Sequence, residues 1–439
     1  MRILLLGKFP PIQGGVSAQT YTTALELARQ GHIVDVVTNS SEVELSCRQL
    51  LTKDDQQYLK VEGMVVHYTE PLLDFSYIPW ANPYSSKLFG ICASLLSEYQ
   101  FDLIVGWYFE PYGLCAAQLS SIFSVPLLLR HAGSDLGRLA QHPNLYSAYS
   151  WMLKQADGIV TSRMNSESLS ALKSLGAYEC KFLPLRASRL APHFTKGPSF
   201  LSEEILGAAK RRYHQYSLPK KVIHEISRTI KPPFESPKIT IGMYGKVGTS
   251  KGSYCLIEAL DRLAQEGSDF NLILLSGGSR QRVSHFLHNM CERTALLERS
   301  LILPFLPHWR VFSFLKQCDV VCFLENDFPI SAHRPQIPRE ILASEACFVC
   351  SSEIAEKQSF RDSLVDGKNY VRVEDPNDTA VLASKLRDLI TNPEKTKVIG
   401  KHGGYLFEAW EDEIPEMDAM AQCIVGCEHL LNTSNISTL

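Results

Sequence analysis

The sequence predicts an α/β protein built as two successive doubly wound halves, and three observations carry that prediction. Apolar strand-like runs alternate with helical patterns twice along the chain. The alternation breaks between about residues 186 and 237. A strand, a glycine loop with two lysines and a helix open the second half, at Ile239–Gly252. A sheet whose strands alternate with helices is parallel and covered on both faces, so its strands are continuous apolar runs.

In the first half, Ile3–Leu6 reads as a strand. A helix from about Val16 to Arg29 is expected to bury Val16, Ala24, Leu27 and Ala28 and to stop near Gly31. Strands follow at Ile33–Val37, Met64–Tyr68, Leu103–Val105, Pro126–Leu129 and Gly158–Thr161, with a helical pattern at Leu88, Ile91, Leu95 and Leu96. The second half places strands at Ile239–Met243, Asn271–Leu275, Leu301–Leu303, Val320–Phe323, Phe348–Cys350 and Tyr370–Val373. The proline-rich middle reads as a connection with one short helix and a basic cluster, Lys210, Arg211, Arg212, Lys220 and Lys221. That cluster reads as a solvated helix face, with acidic lipid headgroups or an anionic acceptor as the other reading. From Asp412 to about Leu431 a helical pattern follows no strand, and Ile424, Cys427, Leu430 and Leu431 share one face. The resulting division is 1–185, a connection at 186–237, 238–410, and a terminal helix with tail at 411–439.

Composition excludes several classes. The chain has 439 residues, 45% apolar and 21% charged, so both halves have ample core. A net charge of −3 gives no reason to expect nucleic acid. Met1–Lys8 is too short in its apolar core for a signal peptide, and no run is long enough to span a bilayer, so a cytoplasmic protein is expected, with a peripheral membrane contact left open. The 12 cysteines are scattered in apolar runs and read as reduced core residues, Cys347-x-x-Cys350 included. No second C-x-x-C pair and no nearby histidine completes a zinc set.

Open α/β sheets bind ligands at the carboxyl ends of their strands, so two facing sheets would share a cleft. In the second half, Gly245, Lys246, Gly248 and Lys251 precede a helix, where backbone N–H groups and the dipole favour an anion such as a diphosphate. In the first half, Gly14 and Gly15 lie at a helix start, where backbone can approach a substrate closely or simply make the turn; the spacing is not G-x-G-x-x-G. After the Pro126–Leu129 strand come Arg130, His131, Gly133 and Asp135. His131 has the chemistry to donate to a sugar hydroxyl or leaving oxygen and to move a proton. Asp135 and Arg130 read as facing an acceptor. Gly277 and Gly278 end a strand where a base or ribose could enter, or where the chain merely turns. Glu340 lies in the first turn of a helix, favoured there by the dipole or as an acceptor for ribose hydroxyls.

Taken in order, these motifs resemble a glycosyltransferase with two facing Rossmann-like domains, the GT-B architecture, and are similar to family 4, the group 1 glycosyltransferases. Ile3–Pro11 with Gly14-Gly15-Val16 resembles the family's amino-terminal glycine loop, and Gly31-His32 its approach to the second strand. His131 takes the place of the active-site histidine of an H-x-G-x-D pattern with one extra residue. Gly245-Lys246 with Lys251-Gly252 matches a G-R…K-G element with lysine for arginine. Glu340-Ile341-Leu342-Ala343 matches the second half of E-x7-E, and Val365–Asn369 the turn after it. Ala332 stands where the first glutamate of E-x7-E belongs, so Glu325 or Asp327 from a shifted position, or His333 or Arg334 in its stead, is the expected donor-sugar contact.

The resemblance implies a terminal helix that crosses back to the first domain and forms a hinge with the connection. It implies sugar transfer from an NDP-sugar with retention, usually without a metal and with no cofactor expected, to a glycan or lipid-linked hydroxyl acceptor in polysaccharide or glycolipid synthesis. It places Lys246, Lys251, His131 and Glu340 in the catalytic site. An NDP-sugar epimerase or phosphorylase, a catalytically weak partner subunit, and a nicotinamide oxidoreductase are the competing readings; the last lacks its glycine fingerprint.

Overall fold

The computed structural model describes residues 1–70, 83–162, 166–216, 218–231, 238–330 and 333–427. Two parallel sheets form two Rossmann-like domains. The first has seven strands in the order β3-β2-β1-β4-β5-β6-β7. These are β1 (Arg2–Gly7), β2 (Ile33–Thr38), β3 (Met64–Tyr68), β4 (Leu103–Trp107), β5 (Leu127–Arg130), β6 (Gly158–Thr161) and β7 (Phe182–Pro184). The second has six, in the order β10-β9-β8-β11-β12-β13. These are β8 (Thr240–Lys246), β9 (Asn271–Gly277), β10 (Ser300–Pro304), β11 (Val320–Phe323), β12 (Cys347–Ser351) and β13 (Val371–Val373). Every recorded strand pairing is parallel.

The central strands are apolar on both faces because helices cover both. Ile3, Leu4, Leu5 and Leu6 of β1 are fully buried, and so are Leu272, Leu274 and Leu275 of β9. Strand order reverses between β1 and β4 in the first sheet and between β8 and β11 in the second. Those reversals leave a crevice at the strand ends, where ligands bind in such sheets. Cys347 and Cys350 are both buried on β12, and burial raises their thiol pKa values, so they are inert core residues.

The middle of the chain corrects one expectation. It holds three helices, Pro192–Thr195, Glu203–His214 and Lys220–Thr229, rather than one. Their apolar residues Phe194, Ile205, Tyr213, Val222 and Ile226 join the core of the second domain. Charged residues dilute the apolar spacing there, which hides it. Lys210, Arg211, Lys220 and Lys221 are exposed. Arg212 is not: it donates to Leu45 O at 2.7 Å and Arg48 O at 3.0 Å, tying this segment to the first domain.

The terminal helix, Ala419–Gly426, crosses back as expected. Met420, Ala421, Ile424 and Cys427 pack into the first-domain core, and its cap Asp418 accepts from Thr23 Oγ1 at 2.6 Å. Leu430 and Leu431 lie outside the described residues. On the way, Arg189 N donates to Pro415 O at 3.0 Å, so the two crossing segments run together.

A third connection has no counterpart in the sequence reading. The segment after β2 reaches over to the second domain. Leu50 N donates to Phe305 O at 2.8 Å. Fully buried Asp55 receives Trp309 Nε1 and Arg310 Nε, each at 2.8 Å. Trp309 itself, on the second-domain helix His308–Leu315, is buried in the first-domain core and stacks on Tyr58 at 5.3 Å.

Candidate active site

The cleft is lined by the loops that leave β1, β4 and β5 on one side and β8, β9 and β11 on the other. After β8, the loop turns at Gly245 (φ 129°) and closes with a short 3-10 turn, Thr249–Lys251, before the helix Ser253–Gln265. Gly252 links them at φ 69°, and a Cβ there would collide with Leu324 O, so the loops after β8 and β11 meet backbone to backbone. Asn326 N donates to Ser250 O at 3.2 Å, which holds them in that register.

The two loop lysines differ. Lys246 is exposed, and its Cε lies 3.9 Å from where a Gly14 Cβ would stand, so it faces the glycine loop of the first domain across the cleft. Lys251 is paired with Glu325 and lies 3.8 Å from the centroid of the Phe328 ring. Burial and repulsion from Lys246 pull the Lys251 pKa down against the pull of Glu325, and the net direction is down. Glu325 is 2% exposed and also meets His333 Nδ1 at 3.2 Å. Burial alone would raise the Glu325 carboxyl; His333 and Lys251 outweigh it and hold the group below its ordinary value.

Of the four residues offered for the missing first acid, the structure therefore brings Glu325 and His333 to Lys251. It leaves Asp327 and Arg334 exposed, with Asp327 at φ 51° in the turn. Ala332, the position of the usual glutamate, lies outside the described residues. The same loop carries Ile330, whose Cγ2 lies 3.2 Å from where a Gly137 Cβ would be, so it rests on the first-domain loop after His131.

Glu340 is 5% exposed, and both its oxygens are engaged, one by the Tyr244 hydroxyl and the other by His308 Nε2 at 2.9 Å. Each oxygen keeps a lone pair, so a ribose hydroxyl could add to those partners or replace one. Gly277 and Gly278 meet the first domain. Gly278 N donates to Gln13 Oε1 at 3.0 Å, and a Cβ on Gly277 would collide with that same oxygen. Gln13 therefore fills the space beside Gly277, while a Cβ on Gly278 would meet nothing closer than 4.0 Å.

On the first-domain side, His131 is 6% exposed, with Nε2 2.8 Å from Thr161 Oγ1 and Nδ1 buried without a partner. Burial, with repulsion from Arg130, lowers its pKa to about 3. The ring is neutral near pH 7, which removes the imidazolium proton chemistry expected of it and leaves a hydrogen bond. Asp135 is corrected as an acceptor contact. It is fully buried and accepts the backbone N–H groups of Ala132, Leu136 and Phe109 at 2.8, 3.0 and 3.2 Å. It shapes the loop and does not line the cleft; burial raises its carboxyl to about 6. Arg130 likewise points along the sheet, donating to Val160 O at 3.2 Å.

Two cleft residues escape the sequence reading. Lys8, at the end of β1, puts Nζ 3.6 Å from the centroid of the Tyr108 ring. Tyr108, after β4, adopts φ 82°, a conformation costly for a residue with a Cβ, and its hydroxyl meets Ser134 Oγ at 2.8 Å. Only the run Gly7-Lys8-Phe9 at a strand end signals Lys8. Among the described residues no group of three His, Cys, Asp or Glu side chains is placed to hold a metal ion, and no helix is long and apolar enough to cross a membrane.

Residues 227–404 match the model of the glycosyl transferases group 1. No curated protein matches the chain. Among solved structures, sucrose-phosphate synthase from Thermosynechococcus elongatus is similar at 14% identity, TM-score 0.60, with 99% of each chain covered. Anabaena HepE in complex with UDP-glucose is similar at 16% identity and TM-score 0.59, covering all of both chains. WaaG, a glycosyltransferase involved in lipopolysaccharide biosynthesis, is similar at 12% identity and TM-score 0.57, over 97% of this chain and 100% of that one. These likenesses establish the GT-B fold. The group 1 match falls on the second domain, from within the helix Lys220–Thr229 to beyond β13.

Proposed function

We propose that the chain is a retaining, family 4 enzyme that moves a sugar from an NDP-sugar to a hydroxyl of a glycan or lipid-linked acceptor, at the cytoplasmic side and without a metal. The observation that carries this reading is Lys246, an exposed cation at the end of β8 that faces the Gly14 loop of the other domain. Charge builds on the leaving diphosphate as the glycosidic bond breaks. A cation beside a helix amino terminus stabilises that charge. Lys251 adds to the field, tempered by Glu325.

His131 has one free ring nitrogen in a buried position. Whichever tautomer forms, that nitrogen has one hydrogen bond to give or take, and a sugar hydroxyl supplies either. Attack by the acceptor on the face the diphosphate leaves needs no enzymatic nucleophile, and the departing phosphate oxygen can take the acceptor's proton. HepE was solved with UDP-glucose, which supports a UDP-sugar as the first donor to try.

Mass spectrometry of NDP release against a panel of UDP-, GDP- and ADP-sugars tests the reading. Acceptor-dependent NDP release with a glycosylated product is expected from one donor. Conversion of a UDP-sugar with no acceptor would make the chain an epimerase, and binding without turnover would make it a partner subunit.

A further inference from the structure

We infer that Lys8 is the first-domain half of a split anion site that, together with Lys246 of the second domain, grips the diphosphate of the bound nucleotide. The inference rests on the reading of the cleft as an NDP-sugar site and adds a residue to it.

Three observations place Lys8 there. It stands at the carboxyl end of β1, beside the reversal of strand order that opens the cleft. Its ammonium is held on the face of the Tyr108 ring at 3.6 Å, and that tyrosine is fixed by Ser134 and by a strained backbone at φ 82°. Such strain persists where the surroundings hold it, and it gathers at functional sites. Finally, Lys8 feels the charge of Lys246, which reaches from the opposite domain toward Gly14 of Lys8's own loop.

The electrostatics then favour an anion. Among the described residues neither Lys8 nor Lys246 makes an ion pair with a carboxylate, whereas Lys251 is paired with Glu325. Two unpaired cations from facing domains repel until something negative lies between them. A carboxylate on the protein would have been the simple structural solution. Asp135 exerts some attraction on Lys8, but its oxygens are spent on backbone N–H groups. Burial and Lys246 together lower Lys8 to about 8, so part of the population is neutral in mildly basic solution. A diphosphate would restore its proton.

The experiment is calorimetric titration of the full chain with a nucleoside diphosphate, and with the matching nucleoside, for wild type, Lys8→Met, Lys8→Arg and Lys246→Met. The nucleotide is the one released in the donor panel. Loss of a charge-assisted contact weakens binding about tenfold to a hundredfold. That loss is expected for diphosphate with Lys8→Met and Lys246→Met, with nucleoside affinity unchanged. Lys8→Arg should retain diphosphate affinity, which separates lost charge from lost packing on Tyr108. At a pH of about 8, where Lys8 is part neutral, wild type should take up a fraction of a proton on binding, read from the dependence of the heat on buffer ionisation, and Lys8→Met should not.

Should Lys8→Met misfold, Lys8→Gln replaces it. Wild type that binds diphosphate, with Lys8→Met and Lys8→Gln binding it equally well, overturns the role of Lys8 alone. Wild type that binds no nucleoside diphosphate overturns the functional reading and this inference with it. A Lys8→Met defect confined to turnover with an anionic acceptor, diphosphate affinity being normal, would move Lys8 to the acceptor and also overturn it.

Discussion

Gln13 Oε1, from the first domain, accepts the backbone N–H of Gly278 in the second at 3.0 Å. The amide cannot swing away, because its Nε2 donates to Ser46 O at 2.6 Å and Arg48 O at 3.2 Å. Gly277 is a glycine for that reason: its missing Cβ is the space the Gln13 amide fills.

Gly277→Ala is therefore expected to overpack the domain interface and lower stability by about 1–3 kcal/mol. Adding Gln13→Ala to the same chain should return part of that loss, since the obstructing oxygen is gone. Thermal denaturation of the single and double variants checks it. A Gly277→Ala protein as stable as wild type would show that the loop yields freely.

Most of the sheet architecture is legible in the sequence because buried parallel strands are continuous apolar runs. Runs such as Ile3–Leu6 and Asn271–Leu275 sit inside β1 and β9 for that reason. Strand β7 escapes the reading because Phe182–Pro184 is too short to show a period. The site is legible in its strand-end positions and not in its directions. Asp135 and His131 share one short loop, yet one turns to backbone and the other keeps a nitrogen free. Nothing in residue type separates those outcomes. The tie between Asp55 and Arg310 joins segments far apart in the chain, and no local pattern encodes it.

That tie bears on the hinge. The connection and the terminal segment are expected to let the domains close on donor. Trp309 adds a third joint, buried between Tyr21 and Tyr58 of the other domain. Trp309→Ala is expected to cost about 3–5 kcal/mol, as for a large buried aromatic. It should also enlarge the radius of gyration in small-angle scattering as the domains part. A destabilised variant with an unchanged radius would mean that the other two joints alone set the domain angle.

Lys251→Ala separates structure from binding. From the sequence, the fold is indifferent to it. The structure shows that Glu325, 2% exposed, would then keep only the His333 ring beside its carboxylate. The expected cost is about 3 kcal/mol, the low end for a broken buried pair. Glu325→Gln in the same chain should recover stability without recovering nucleotide affinity. Denaturant unfolding and nucleotide titration on the three variants decide it; an unaltered unfolding midpoint in Lys251→Ala would show the pair to be energetically idle.

The pH dependence near His131 follows from two shifts of opposite sign. In the folded chain burial and Arg130 hold His131 at about 3, below its ordinary 6.5. Between those values the unfolded chain binds a proton that the folded chain refuses. The stability of the neutral ring is complete above pH 6.5 and is lost as pH falls toward 3. Asp135, raised by burial from 3.8 to about 6, binds its proton first in the folded chain, so its contribution rises as pH falls through the same region. The two oppose each other between about pH 4 and 6, and His131→Gln removes only the destabilising arm. The variant should therefore lose less stability than wild type between about pH 6.5 and 5, measured by denaturant unfolding at each pH. By NMR, the His131 ring in wild type should show no titration from about pH 8 down to 5. A ring that titrates near 6.5 would mean that it is open to water, and its place as a buried hydrogen-bonding partner for the donor sugar would fall.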